Sequence, residues 1–433
     1  MIQIKESKDC CGCSACVQKC PRQCISMYED EEGFLYPLID VTLCIDCSLC
    51  EKVCPELQQS DIRSPKATYA AKNPDKNIRR QSSSGGVFTL LAEKIISEGG
   101  VVFGAKFNKK WEVVHDYVET VEGLAAFRGS KYVQSQIGES YKQTETFLKH
   151  GRSVLFSGTP CQIAALRLFL HKVYDNLLLV DFICHGVPSP GVFRQYLKEE
   201  IEEFAHQGDG KNSVSSHPKS FFSERDGLIG EDFLNVEAIS FRDKKLGWKK
   251  FSFALILSKA SAAGEKNTVS LSYTLDKHPF LRGYLHNLYL RPCCHFCPVR
   301  ELKSGSDITL GDYWGIDSIM PELDDDQGVS AVTVNTEKGY LALHSTTVVL
   351  WSSSWTDLCQ RNPSLMRSAV ALDCRAAFFA NNGMTFHKKI EALCRPTFRM
   401  RLLIIVRTLL GKRGITVVKK MLVKHNLMNY ITK

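Results

Sequence analysis

The sequence lacks long hydrophobic runs: none of its apolar stretches approaches the roughly 20 residues that a helix needs to cross a bilayer. It also lacks an apolar signal segment, since it opens MIQIKESKD, and it contains neither a G-x-G-x-x-G fingerprint nor a P-loop. We therefore expect a cytoplasmic protein outside the membrane, without a Rossmann or Walker nucleotide site. In a reducing compartment its 18 cysteines are expected to be thiols available to metals rather than disulfides.

Two stretches concentrate these cysteines in one spacing. CCGCSACVQKCP at 10–21 and CIDCSLCEKVCP at 44–55 share three cysteines separated by two residues each, a fourth after three more residues, and a proline. Zinc, the main alternative, is usually bound by two Cys-x-x-Cys pairs. The spacing is that of bacterial ferredoxins, in which the fourth cysteine of each run ligates the other 4Fe-4S cluster. It predicts one cluster held by Cys10, Cys13, Cys16 and Cys54, and another held by Cys44, Cys47, Cys50 and Cys20. Cys11 and Cys24 fall outside this register, and we expect them to be structural or incidental.

A third set of thiols occurs in RPCCHFCPVR, which contains Cys293, Cys294 and Cys297. These cysteines have no partners nearby in the sequence. Cys161 and Cys184 stand at predicted strand-to-loop junctions, where they could complete a third four-thiol site. The alternative is that scattered cysteines are simply buried apolar residues.

The remaining sequence predicts alternating strands and helices. A polar linker ends near Ser64, and residues 207–232 read as a loop-rich excursion. Between them the patterns predict a layered α/β core. Its predicted elements are a short strand in ATYAAK, a helix at 87–97, strands at 101–107, 154–156 and 177–183, a helix from Cys161, and a hairpin that turns near Gly247.

The helix at 87–97 follows the stretch SSSGG at 82–86. Its serines can cap the helix, and its glycines allow a ligand to approach the backbone closely. A helix N-terminus at this point would suit a phosphate group. By itself, however, the pattern favours a plain capped helix start over a nucleotide site.

The net charge of +8 is concentrated at the C-terminus, because residues 397–433 contain nine Lys and Arg and no acid. Apolar residues at helical spacing, among them Phe398, Leu402 and Ile405, predict a basic amphipathic helix followed by a second helix. These helices would pack on their own domain, or would dock on anionic lipid or an acidic partner. No nucleic-acid-binding motif accompanies them, so we expect no nucleic-acid partner.

Several stretches between about 67 and 340 together resemble the beta-subunit family of coenzyme F420 hydrogenases and dehydrogenases, which includes the plant 7-hydroxymethyl chlorophyll reductase. They are SSSGGVFTLL, FRGSKYVQS, VLFSGTPCQIAAL, DFICHGVPSP, FRDKKLGW, LRPCCHFCPVR, SDITLGDYWGI and GVSAVTVNT. The resemblance implies a flavoprotein core that binds FAD beside a 4Fe-4S cluster. It assigns the third cluster to Cys161, Cys184, Cys294 and Cys297, with Cys293 as a spare. It implies that FAD is lined by Ser84, Gly85, Gly86, Lys131, Tyr132, Gly158 and Thr159, with Gly311 and Asp312 as weaker additions.

We accordingly predict an α+β protein: a two-cluster ferredoxin domain at 1–63, a layered α/β flavoprotein core at 64–150 and 151–345, and a helical basic region at 346–433. Flavin exchanges electrons in pairs and iron–sulfur clusters exchange them singly, so the combination predicts an oxidoreductase that converts between the two. Its partners would be a ferredoxin-like electron carrier and an unidentified small-molecule substrate, and His185 is a weak candidate proton donor. The alternatives are an electron-transfer subunit that docks to a catalytic partner and, less favoured, a cluster-based sensor.

Overall fold

The computed structural model describes residues 1–207, 234–260, 266–380 and 383–395. The chain divides into two compact units, Met1–Asn381 and Asn382–Lys433. No helix in the described ranges is long and apolar enough to cross a membrane. The loop-rich excursion, apart from Gln207, and the basic helices predicted after residue 397 lie outside the described residues.

The N-terminal cysteine-rich segment contains two short helices that begin in the same way. Its elements are a 3-10 turn at Ser7–Asp9, helices α1 (Ala15–Lys19) and α2 (Leu49–Lys52), and strands β1 (Ile25–Glu29) and β2 (Leu35–Ile39). The two strands pair in antiparallel fashion. The residues that precede α1 and α2, Ser14 and Ser48, are both left-handed, with φ of 58° and 56°. Because residues other than glycine rarely adopt this conformation, its recurrence 34 positions apart shows that the sequence repeat is also a structural repeat.

The larger part of the first unit is built on an eight-stranded mixed sheet. The strands after β2 are β3 (Ala67–Lys72), β4 (Val101–Phe107), β5 (Val113–Val118), β6 (Val154–Gly158), β7 (Leu177–Phe182), β8 (Leu234–Asp243), β9 (Ser252–Ala260), β10 (Lys266–Thr274), β11 (Ile308–Asp312), β12 (Ser330–Val334) and β13 (Val349–Ser353). The eight-stranded sheet has the order β13-β3-β12-β11-β7-β6-β4-β5, and β8, β9 and β10 form a separate antiparallel sheet. In the large sheet β4, β6, β7 and β11 run parallel. Their carboxyl ends therefore lie at the same edge.

The first unit contains the helices α3 (Lys76–Gln81), α4 (Val87–Ser97), α5 (Ser140–Lys149), α6 (Pro160–Leu170), α7 (Pro190–Gln207), α8 (Pro279–Leu285), α9 (Ile316–Ile319), α10 (Glu337–His344), α11 (Trp355–Arg361) and α12 (Cys374–Phe379). The second unit contains α13 (Phe386–Leu393). Further 3-10 turns occur at Glu122–Phe127, Pro292–Phe296, Pro321–Leu323 and Pro363–Leu365. The apolar stripe of α4, Val87 and Leu91, shares a buried core with Leu155 of β6 and Val180 of β7. Because the middle strands are buried on both faces, their sequences are continuously apolar rather than alternating.

Most of the predicted core elements are confirmed: α4, β4 and the β8–β9 hairpin, with β6 and β7 differing from the prediction by two residues or fewer. The prediction that the chain is helical after residue 346 is wrong for its first part. Val349–Ser353 form β13, which pairs with β3 at the edge of the large sheet. A five-residue strand carries little periodic signal, so only its pairing partner defines it. The boundaries predicted after residues 63, 150 and 345 all fall within the first compact unit.

Candidate functional site

The first predicted cluster site is a group of buried thiols in the N-terminal segment. Cys13, Cys16 and Cys54 are each 8% exposed, and their thiols interact with one another and with Cys10. Burial, reinforced by the thiols of Cys10 and Cys54, raises the pKa of Cys16 to about 12. Thiols buried together in this way become thiolates only when a bound metal supplies positive charge. The four residues therefore fit the ligand set that the spacing predicts.

The second predicted site surrounds a cavity beside the amino terminus. Cys20, Cys44, Cys47 and Cys50 all line this cavity. Among the 18 cysteines, all of which the structure describes, Cys47 is the exposed one, so this site reaches the protein surface. The backbone N–H of Ile2 donates to Cys50 Sγ at 3.3 Å, a contact of the kind that tunes iron–sulfur clusters.

The third set of thiols surrounds a cavity in the core, at the carboxyl end of β7, which we call the core thiol cavity. The four cysteines that the family resemblance assigns to a third cluster line it together: Cys161, Cys184, Cys294 and Cys297. Thr159 and Gln162 cap each other at the start of α6 and so fix its first turn, which carries Cys161. Four thiols around one cavity are the ligand set of a 4Fe-4S cluster.

The two cysteines outside the ferredoxin register lie at these sites, which the sequence did not indicate. Cys24 lines the second cavity, and its Sγ is 3.3 Å from Cys20 Sγ. Cys11 is 4% exposed, lines the core cavity, and its thiol interacts electrostatically with those of both Cys13 and Cys161. Cys11 therefore connects the first ferredoxin-type site with the core site.

A further cavity of about 320 Å³, which we call the ligand cavity, opens at the carboxyl ends of β6, β7 and β11. This edge of a parallel sheet is where ligands bind in open α/β proteins, and the volume is typical of a small-molecule site. Eight of the nine residues predicted to line FAD do line this cavity: Ser84, Gly86, Lys131, Tyr132, Gly158, Thr159, Gly311 and Asp312. Further wall residues were not predicted from the sequence, among them His115, Arg242 and Tyr284. Arg242 could have been predicted, because it lies in FRDKKLGW, one of the stretches that resemble the family.

Gly85 lies behind the cavity wall rather than in it. Its N–H donates to Ser330 Oγ at 2.9 Å, and its carbonyl accepts from the N–H of Asn73 at 2.7 Å. A side chain here would clash, since a Cβ would stand 2.4 Å from the carbonyl oxygen of Ala71. The glycine thus lets the SSSGG loop pack directly on β3 and β12.

One end of the cavity is rich in hydrogen-bond donors and positive charge. The N-terminus of α4 begins there, and Gly86, with φ of +82°, supplies the left-handed turn into the helix. The first N–H groups of a helix carry partial positive charge and suit an anion.

Lys131 donates to the carbonyl oxygens of Ala126, Arg128 and Gly129. Burial lowers the pKa of Lys131 to about 7.

Arg242 and Asp312 form a buried ion pair in the cavity wall. Asp312 also accepts a hydrogen bond from Trp248 Nε1 at 2.9 Å, so both carboxylate oxygens are engaged. The Nε and Nη2 atoms of Arg242 have no acceptor among the described residues. Buried donors are rarely left without a partner, so these two atoms fit a ligand that brings hydrogen-bond acceptors into the cavity.

A buried histidine network supports the floor of the cavity. His115 Nε2 lies 3.0 Å from the carbonyl oxygen of Ser157, and Nδ1 lies 2.9 Å from Ser135 Oγ. Gln162 donates to the same Ser135 Oγ at 3.0 Å. Burial lowers the pKa of His115 to about 4, so the ring is neutral at physiological pH and can donate to one partner and accept from the other. The network holds the turn after β6, which carries Cys161.

The core thiol cavity and the ligand cavity share one wall. Phe182, Ile183, Cys184, Gly186 and Val187 line both of them. Within the same segment, His185 faces the ligand cavity and its Nε2 lies 2.6 Å from Asn287 Oδ1. A metal cluster held by Cys184 would therefore be separated from a ligand in the larger cavity by only the segment at 182–187.

Sequence models of known families match most of the chain. The model described as coenzyme F420 hydrogenase/dehydrogenase, beta subunit N-term, matches residues 68–142, and the model for the C terminus of the same beta subunit matches residues 151–348. Together these two models cover more than half of the chain. A 4Fe-4S dicluster domain matches residues 9–57, which contain both cysteine runs.

Comparison with curated protein sequences finds no significant match. Among solved structures, a chain of the F420-reducing NiFe hydrogenase complex from Methanosarcina barkeri is similar at 17% sequence identity with a TM-score of 0.42. The similarity covers 71% of the present chain and 92% of that chain.

Proposed function

Because the chain belongs to the coenzyme F420 hydrogenase/dehydrogenase beta-subunit family and carries a 4Fe-4S dicluster domain, we propose that it is an iron–sulfur flavoprotein oxidoreductase. In this proposal it passes electrons between a ferredoxin-type partner, three 4Fe-4S clusters and FAD, and reduces or oxidises an organic substrate. The observation that supports the proposal most is the wall at 182–187, which is common to the cavity lined by Cys161, Cys184, Cys294 and Cys297 and to the larger cavity.

The residues of the ligand cavity fit FAD. The loop at 82–86 and the N-terminus of α4 would hold its diphosphate, since they offer backbone N–H groups and a positive helix end. The unpartnered donors of Arg242 would hold acceptor atoms of the cofactor or the substrate. The stacked rings of Tyr132 and Tyr284, 4.9 Å apart, supply an apolar wall. When bound, FAD would accept electrons in pairs and release them singly.

The contacts among the thiols favour one order for the clusters. Cys11 joins the thiols of Cys13 and Cys161, so the first ferredoxin-type site is adjacent to the core site. The second site contains the exposed Cys47 and interacts with the first through Cys50 and Cys16. An external one-electron partner would therefore exchange electrons at the second site, and the electrons would move through the first site and the core site to the ligand cavity.

The proposal is tested by purifying the full chain without oxygen and measuring iron, sulfide and released flavin per chain. We expect about twelve irons and one FAD, since each cube contains four irons. About eight irons without flavin would contradict the flavoenzyme proposal. That result would favour an electron-transfer subunit that acts only with a catalytic partner.

Lys131 gives a prediction for pH dependence. Its pKa is lowered to about 7 in the cofactor-free protein, and an anionic ligand nearby would raise it toward the ordinary value of about 10.4. The complex then binds more protons than the free protein above pH 7, so affinity falls as pH rises, by up to about tenfold per unit. Titration of FAD fluorescence between about pH 6.5 and 9 measures this slope.

The variant Lys131→Met is expected to bind FAD with an affinity that changes little over this range. Lys149→Met removes an exposed lysine of α5 that pairs with Glu145, and it serves as the control with the parent slope. An unchanged slope in Lys131→Met would show that another group is responsible.

A further inference from the structure

Arg291 is a buried cation beside the first ferredoxin-type site. Its relative exposure is 0%. It belongs to the core segment that leads into Cys293 and Cys294, yet it reaches the N-terminal segment. Nε donates to the carbonyl oxygen of Cys10 at 2.7 Å, and Nη2 donates to the carbonyl oxygen of Leu35 at 2.9 Å. The guanidinium therefore fastens the N-terminal segment to the core.

The same guanidinium reaches a predicted cluster ligand. Nη2 lies 3.6 Å from Cys10 Sγ, and Nη1 donates to Gln134 Oε1 at 3.0 Å. The ring of Tyr36 stacks beneath it, with the guanidinium carbon 4.3 Å from the ring centre. The backbone also comes close at Gly12, where a Cβ would stand 2.7 Å from Nη1. The positive charge is therefore packed closely against the cysteine loop.

Arg291 forms no ion pair or hydrogen bond with a carboxylate within the described parts of the chain, since its acceptors are carbonyl groups, an amide and the sulfur. Asp30 and Glu56 lie near enough to interact with its charge, but neither contacts it. A buried charge without a paired counter-charge is costly. An iron–sulfur cube held by four thiolates is anionic, and becomes more so on reduction. The cluster that Cys10 would help to hold is therefore the natural counter-charge of Arg291.

The second ferredoxin-type site has a different electrostatic environment. The amino group of Met1 lies there, but Asp46 and Glu51 already pair with it at 2.7 and 3.0 Å. Arg22 also lines this cavity, but it is exposed, so water screens its charge. A fully buried arginine acts in a lower dielectric and has a stronger effect on a neighbouring charge.

We propose that Arg291 is a positioning residue that raises the reduction potential of the first ferredoxin-type cluster above that of the second. An electron that enters at the second cluster, whose ligand Cys47 is exposed, would then move downhill to the first: the second cluster would be oxidised and the first reduced, with no change of bond or proton. This difference in potential would favour electron transfer from the surface toward the core. This inference rests on the two ferredoxin-type clusters of the proposed function and is independent of the flavin.

The test is a redox titration of the full chain in which low-temperature electron paramagnetic resonance monitors the reduction of each cluster. It is carried out on the parent, Arg291→Gln and Arg291→Lys. Iron content is measured first, so that loss of a cluster is distinguished from a change in its potential. The signal of the first cluster is identified as the one lost in Cys13→Ala. In the parent, the first cluster is expected to be reduced before the second.

Arg291→Gln is expected to shift the equilibrium for reduction of the first cluster by at least about tenfold toward the oxidised form, equivalent to about 59 mV for one electron. Arg291→Lys keeps the charge and is expected to retain most of the parent potential, and it carries the test if the glutamine variant does not fold. Arg152→Gln removes an arginine that pairs with Glu119 at the surface, and it is expected to shift neither cluster. The proposal is overturned if the second cluster is reduced first in the parent, or if the lysine and glutamine variants shift the first cluster equally.

Discussion

Replacement of Cys184 by alanine is expected to lower the iron content of the anaerobically purified chain from about twelve atoms to about eight, because in the proposed function it removes one ligand of the third four-iron cluster. The two ferredoxin-type clusters have separate ligands and are expected to remain. Since Cys184 stands in the wall between the core cavity and the ligand cavity, its loss breaks the electron path there. Flavin, if bound, is then expected to stay oxidised when the ferredoxin-type clusters are reduced by an external donor.

Cys293→Ala is the matched control for this experiment. Cys293 is 5% exposed and lines the same core cavity, but it is the cysteine that the ligand assignment leaves over. The control is expected to retain about twelve irons and normal reduction of flavin. Loss of four irons in Cys293→Ala, with none lost in Cys184→Ala, would show that the third ligand set has been assigned wrongly.

Gly85→Ala is expected to destabilise the protein by about 3 kcal/mol and to abolish flavin binding. The new Cβ would lie 2.4 Å from the carbonyl oxygen of Ala71 and 2.6 Å from the backbone nitrogen of Ser330, so neither neighbour can rotate away. The loop must lift from the sheet, and the adjoining Ser84 and Gly86 then leave the cavity wall. Thermal unfolding and the content of released flavin measure the two effects.

Gly99→Ala provides the comparison, because Gly99 lies just beyond the other end of α4. Its φ is +76°, and a Cβ there would meet nothing within 4 Å. This variant is expected to lose about 1 kcal/mol from the left-handed backbone alone and to keep its flavin. Equal flavin content in the Gly85 and Gly99 variants would argue that the loop at 82–86 does not hold the cofactor.

Local patterns made part of this protein predictable. The helix α4 and the strand β4 have a periodicity and turn residues that depend on neighbours within a few positions. The spacing of the two cysteine runs likewise predicts both ligand sets, because a short loop brings the first three thiols of each run together and the fourth ligates the other cluster. The match to a 4Fe-4S dicluster domain at residues 9–57 agrees with this local signal.

Contacts between distant residues could not be predicted in the same way. β13 looks unremarkable in sequence and becomes a strand only because β3, more than 270 residues earlier, offers an open edge. Cys11 was predicted to be structural or incidental, since nothing in the run 10–21 indicates that Cys161 lies beside it. The assignment of the four core thiols to one cluster came from the family resemblance, because their spacing in the sequence does not define a ligand set.

Two ferredoxin-type cysteine runs, an α/β core and a family signature could be recognised in the sequence, since these depend on residue type and short spacing. The fold was needed to show which thiols are adjacent, which cysteine reaches the surface, and which wall separates the thiol cavity from the ligand cavity. The fold also shows that Arg291 is buried beside Cys10 without an ion-paired carboxylate. The physical reason is that charge and burial act through space, and the chain brings residue 291 to residue 10 only by folding.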